Sequence, residues 1–243
     1  MTPSDLSRNG IAWDDIAAQI DSEGYALLSG MLAPGHAREL ACQVDRLKSL
    51  RRLSLGNVDL GAGEILRFGA DLPAPWAAWR SSFYRGLAPL ANRWNETLGV
   101  AFRYPPELDA FLQLNRSAGQ TQQISHLSRL RCRDYVALHQ SNDGEQLFPF
   151  QLVALLTEPG KDFDGGEFVL TEQRPRMQSR PIVLPLKLGD VAIITTAQRP
   201  FKGSRGFYRV NLRHAISRVR GGERIGVELS FHDAPSSEGE KPS

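Results

Sequence analysis

From about Asp109 onward the chain breaks into short apolar runs separated by Gly, Pro and Asp. The runs are Phe111–Asn115, Tyr135–His139, Phe150–Thr157, Glu167–Thr171, Ile182–Leu186, Val191–Thr195, Tyr208–His214 and Ile225–His232. Eight runs of strand length at this spacing predict a sandwich or barrel of antiparallel strands. The preceding residues read mainly as helices. Trp13, Ile16 and Ile20 recur at helical spacing, Glu23-Gly24 closes that helix, and Tyr25–Leu28 forms a short strand. Pro34 opens a second helix with Leu40, Val44 and Leu47 on one face. A loop spans Leu55 to Gly63, and Leu90, Trp94 and Leu98 mark a further helix with Pro89 in its first turn. Helices first and strands afterwards predict an α+β fold with helices buttressing a β core. The expected organisation is one domain over residues 1–235, with helical support over 1–108, the β core over 109–235, and a polar, disordered tail over 236–243.

Composition narrows the class. A chain of 243 residues can bury most of its apolar surface without staples. Its two cysteines, Cys42 and Cys132, cannot build a disulfide framework or a Cys-rich zinc site, and they suit a reducing compartment. No apolar run approaches the length of a membrane span. The first residues lack the basic-then-apolar pattern of a secretory signal, so a cytoplasmic location is expected. Charge is uneven: residues 173–220 hold eleven Lys/Arg and one acid, Asp190, although the whole chain is only +2. Such a segment attracts anions. Arg174, Arg176, Arg180 and Arg205 are candidate contacts for a phosphate-bearing substrate, or else partners in scaffold ion pairs.

Of the five histidines, His36 reads as helical and His126 as part of a polar loop. The other three lie in strand runs. Alternation places Tyr135, Ala137 and His139 on one face, and His214 continues the apolar face of Tyr208, Val210 and Leu212. Such histidines are either hydrogen-bonded core residues or two ligands of one metal. Arg224 follows His214 by ten residues, with Gly221-Gly222 as the expected turn of a hairpin between them. A guanidinium placed there can clamp a carboxylate.

The runs LHQ (138–140), FPFQ (148–151), GGEFVLTEQRPRMQSR (165–180), RGFYRV (205–210), LRHAIS (212–217) and FHDA (231–234) carry a resemblance. Over Tyr135 to Ala234, about two-fifths of the chain, they are similar to non-heme Fe(II), 2-oxoglutarate-dependent oxygenases. Within that superfamily they resemble a bacterial group usually described as oxygenases acting on methylated, damaged DNA. The resemblance implies a double-stranded β-helix (jelly-roll, cupin-like) core that uses Fe(II), 2-oxoglutarate and O2. It also implies His139 and His214 as iron ligands, Arg224 as the clamp on the far carboxylate of 2-oxoglutarate, and Tyr135 as a further cosubstrate contact.

Two positions depart from the family pattern. His139-Gln140-Ser141 stands where the family has His-Gln-Asp, and Gly226 stands where a hydroxyl residue is expected beside the clamp. A neutral serine binds Fe(II) poorly and leaves a position that a chloride ion could fill, restoring the lost charge. Ser141 is therefore the candidate catalytic position of a halogenase-like site, and chlorination is the favoured outcome. The alternative is a hydroxylase or oxidative demethylase whose acid comes from elsewhere. Asp143 in a turn, Glu228 on the Arg224 face and Asp233 in the FHDA run are the candidates for that acid. A third reading is a non-catalytic binding protein on the same fold. The substrate is expected to be a small molecule, nucleotide-like or phosphate-bearing. Duplex DNA is not expected, because no basic helix, zinc finger or aromatic-basic stacking motif occurs.

Overall fold

In the computed structural model the described residues are 11–44 and 50–236. Leu47 and the tail beyond residue 236 lie outside them. Four helices are α1 (Trp13–Glu23), α2 (Pro34–Gln43), α3 (Trp76–Thr97) and α4 (Leu108–Ser117). The strands are β1 (Tyr25–Leu28), β2 (Arg51–Ser54), β3 (Gly61–Ala62), β4 (Glu64–Arg67), β5 (Gln120–Gln122), β6 (His126–Arg131), β7 (Tyr135–His139) and β8 (Phe150–Leu155). They continue with β9 (Phe163–Gly165), β10 (Phe168–Gln173), β11 (Arg180–Leu184), β12 (Val191–Thr195), β13 (Gln198–Gly203), β14 (Gly206–Ile216), β15 (Val219–Ser230) and β16 (Ala234–Pro235).

The larger sheet runs β1-β12-β8-β15-β6-β4-β2, with β9 also paired to β15. The smaller runs β11-β10-β14-β7-β3, with β13 paired to β14. The pairings within both sheets are antiparallel, as the short-run pattern predicts. Period-2 alternation gives the large sheet two apolar faces. Phe150, Leu152, Ile193, Val227 and Leu229 pack under the helices with Trp79, Phe83, Leu87 and Trp94 of α3. Val153, Leu155, Ala192 and Ile194 face the small sheet and meet Val136, Leu170 and Ile216. Burying each such Val, Leu, Ile or Phe side chain contributes about 1.5–3 kcal/mol.

Three expectations need correction. Phe111–Asn115 is helical, because Leu108, Phe111 and Asn115 fall on one face of α4 and are all buried there. Pro89 lies inside α3 rather than in its first turn. The helix carries it because a stripe that includes Trp76, Trp79, Phe83, Leu87, Leu90 and Trp94 is buried along its length, outweighing one lost backbone bond. Gly221 and Gly222 form no turn. They lie within β15 and pair with Asp164 and Phe163 of β9. The chain therefore passes from β14 in the small sheet to β15 in the large one, and Arg224 faces the small sheet across the interior.

Candidate active site

Inward residues of the two sheets meet at one level of the barrel. On β15, Ile225, Val227 and Leu229, with Phe231 just beyond it, belong to the core beneath the helices. Alternation therefore turns Arg224, Gly226, Glu228 and Ser230 inward. On β14, the buried set Val210, Leu212, His214 and Ile216 points inward in the same way.

His214 and His139 are register partners on β14 and β7. Their ring centres stand 4.1 Å apart. Between this pair and the next, Ile216 with Val136, β7 gains a residue, and this bulge resets its alternation. Val136 and His139 are both directed inward, while Tyr135 is 39% exposed. Tyr135 thus falls off the histidine face, and a bulge of this kind leaves no mark in the sequence pattern.

The two imidazoles have different surroundings. His139 Nδ1 donates to the Ala137 carbonyl at 2.9 Å. A carbonyl only accepts, so Nδ1 carries a proton and Nε2 is the nitrogen turned away from that bond. His214 is 1% exposed and Phe168 stacks on its ring, 6.0 Å between centres. Its Nδ1 is buried without a partner. Burial and the nearby His139 hold its pKa down to about 3, so the ring is neutral at physiological pH.

Arg224 is 2% exposed, and its Nε donates to the Gly166 carbonyl at 2.8 Å. Burial lowers its pKa to about 10, against the pull of Glu228, so it stays cationic. Nη1 reaches Ser128 Oγ at 3.4 Å. Glu228, 7% exposed, lies between three imidazoles and this guanidinium. Burial opposes its charge, but His126, His214, His139 and Arg224 together bring its pKa below the ordinary carboxylate value. Its Oε2 stands 3.8 Å from His214 Nε2 and its Oε1 3.8 Å from His126 Nε2. Gln151 Nε2 donates to Glu228 Oε2 at 3.2 Å and lies 3.2 Å from His214 Nε2.

His126 and Gln151 are the residues that sequence reasoning missed. His126 is not in a loop; it begins β6, and Glu228 is its register partner. The run HLSRLR hides that strand, because Leu127 and Leu130 sit on opposite faces and break the visible alternation. Ser141 is half-buried beyond β7, where Gln140 Nε2 donates to the carbonyls of Ala197 and Leu212 at 3.0 and 2.8 Å. Asp143 is exposed. Asp233 forms a buried ion pair with Arg80 at 2.9 Å.

The four candidate phosphate contacts do not gather here. Arg174 donates to Glu172 at 2.9 Å and lies over the Phe201 ring, and Arg180 stands 3.8 Å from Glu23. Arg176 and Arg205 are exposed. Arg205, between β13 and β14, is nine positions from His214, about 30 Å at strand rise. The charge run is thus spread over hairpins rather than focused on one pocket.

Among the described residues, no three His, Cys, Asp or Glu side chains close around a metal position. The donor set nevertheless fits a divalent ion: two imidazoles with ring centres 4.1 Å apart, one of them with a buried orphan nitrogen, and a carboxylate close by. Paired inward histidines and a buried arginine on a late strand, between two antiparallel sheets, define a double-stranded β-helix of the 2-oxoglutarate oxygenase type. A family model described as "oxygenase, catalysing oxidative methylation of damaged DNA" matches residues 63–234, and the chain belongs to that family.

Two uncharacterized proteins of Mycobacterium tuberculosis, from strains CDC 1551 / Oshkosh and ATCC 25618 / H37Rv, are each 41% identical over 155 residues. The match covers 64% of this chain and 66% of each relative, so the chain spans just under two thirds of the curated relatives' length. Among solved structures, a Trichoplax adhaerens prolyl hydroxylase superimposes with a TM-score of 0.58 at 13% identity, covering 96% of this chain and 94% of that one. A 2OG-Fe(II) oxygenase family oxidoreductase of Burkholderia pseudomallei gives 0.52 at 18% identity, covering 93% and 95%. A Pseudomonas putida prolyl-4-hydroxylase gives 0.51 at 13%, covering 91% and 98%. Likeness at these identities shows the fold. No helix of the described residues is long and apolar enough to cross a membrane.

Proposed function

We propose that the chain oxidises an unactivated C–H bond of an organic substrate with Fe(II), 2-oxoglutarate and O2. The observation that carries this reading is the register pairing of His139 with His214, ring centres 4.1 Å apart, in an interior that also holds buried Arg224. His139 and His214 hold the iron. Arg224, fixed by the Gly166 carbonyl, pairs with the far carboxylate of 2-oxoglutarate. When bound, iron and 2-oxoglutarate activate O2, with succinate and CO2 as coproducts. Phe168, stacked on His214, fixes that ring and keeps water from its face.

Hydroxylation or oxidative demethylation is the outcome best supported, because Glu228 brings an acid within 3.8 Å of His214. Chlorination is the second reading, favoured by Ser141 where the family carries an acid. For the substrate we infer a phosphate-bearing, nucleotide-like molecule. Its support is the damaged-DNA description of the family.

Succinate release with candidate nucleotides, with and without Fe(II) and chloride, tests the reading. Iron-dependent succinate with oxygenated product at high chloride is expected. Chlorinated product would favour the second reading. Absence of iron-dependent succinate with every substrate would leave a non-catalytic binding protein.

A further inference from the structure

Two groups that the family pattern calls for are missing from their usual positions, an acid at 141 and a hydroxyl at 226. In each case the large sheet supplies a counterpart. Gly226 and Ser128 are register partners. A Cβ on residue 226 would stand 3.0 Å from Arg224 Nη1 and 3.3 Å from Ser128 Oγ. The hydroxyl beside the guanidinium therefore comes from β6, through space that a glycine leaves open.

The acid has a parallel replacement. Glu228 points inward from β15, its carboxylate 3.8 Å from His214 Nε2 on one side and 3.8 Å from His126 Nε2 on the other. Nitrogen and oxygen ligands lie roughly 2.0–2.2 Å from a divalent transition ion, so two ligands of one ion stand no more than about 4.4 Å apart. The Glu228–His214 separation meets that limit and is too long for a hydrogen bond. Between the two, 3.2 Å from each, stands the amide nitrogen of Gln151. An N–H donor lodged between two lone-pair groups takes the place of a cation.

We propose that Glu228, delivered from the opposite sheet, is the carboxylate that completes the iron site of His139 and His214 in place of the acid missing at Ser141. This role presupposes that the two histidines hold iron. With Glu228 bound, the centre regains two histidines and one acid, and the position a halide would need is filled.

Cobalt(II) stands in for iron without consuming oxygen, and its visible d–d bands report its ligands. The full chain is titrated with Co(II) beside the Glu228→Gln, Ser141→Ala and His139→Ala variants. Glu228→Gln is expected to weaken binding by about tenfold or more and to shift the bands, whereas Ser141→Ala changes neither. Wild-type affinity and bands in Glu228→Gln would overturn the assignment while leaving the two-histidine site standing. No binding by the wild type, or undiminished binding by His139→Ala, would bring down the iron site and this assignment together. Should Glu228→Gln fail to fold, a Mn(II) complex of the wild-type crystal decides. A Glu228 oxygen bonded to the ion supports the role, and a carboxylate turned away from it overturns the role.

Discussion

Arg224 Nε donates to the carbonyl of Gly166, a residue held at a left-handed φ of +62° between β9 and β10. A Cβ there would meet Arg224 Cδ at 2.9 Å, in a backbone conformation that costs a non-glycine residue about 1–2 kcal/mol. Gly166→Ala should therefore push the guanidinium off its anchor. The expected result is a raised half-saturating 2-oxoglutarate concentration with little loss of rate at saturation, measured as succinate release. An unchanged 2-oxoglutarate dependence would separate Gly166 from the clamp.

Arg224→Gln removes the cation itself. Hydrogen bonds to charged groups contribute about 1.5–3 kcal/mol, so 2-oxoglutarate should bind about 10- to 150-fold more weakly. Calorimetry with 2-oxoglutarate measures this directly. Equal affinity in the variant would mean that the cosubstrate lies elsewhere.

Buried Arg224 also shows which parts of the candidate site the sequence carried. His139, His214 and Arg224 were legible because their order along the chain follows the family's strings. The strands at 135–139 and 191–195 were legible because turn residues bracket them. The bulge that removes Tyr135 from the histidine face was not, since it depends on pairing between distant strands. Nor was the meeting of Glu228 with His126, which only the register of β15 against β6 creates. The helix at Leu108–Ser117 was mistaken for a strand because five residues are too few to tell a period of 3.6 from one of 2.

Asp233 was a candidate acid, and the structure makes it a partner of Arg80. Removing one member of a buried pair costs about 3–5 kcal/mol, so Asp233→Ala should lower the melting temperature clearly. Metal affinity of the folded variant should stay at the wild-type value. A selective loss of metal binding without loss of stability would reassign Asp233 to the site.

His232 is fully buried and accepts a hydrogen bond from the Phe148 amide at 3.3 Å. Burial, reinforced by Arg80, lowers its pKa to about 4. The unfolded chain, with an ordinary histidine pKa of about 6.5, then binds one more proton than the folded chain between about pH 4 and 6.5. This contribution is fully present above that window and is lost as pH falls through it, by up to about 1.4 kcal/mol per pH unit. His232→Asn, which keeps an acceptor for Phe148, should flatten the fall of stability in denaturant melts across these pH values. The same slope in variant and wild type would show that His232 does not titrate as its burial requires.

The central claim is that His139 and His214 grip one ferrous ion, and anaerobic calorimetric titration with Fe(II) tests it most directly. The wild type should bind one Fe(II) per chain. His139→Ala and His214→Ala should each weaken binding by more than the roughly 10- to 100-fold that loss of an outer partner costs. A wild type that binds no Fe(II), or alanine variants that bind it equally well, would contradict the account.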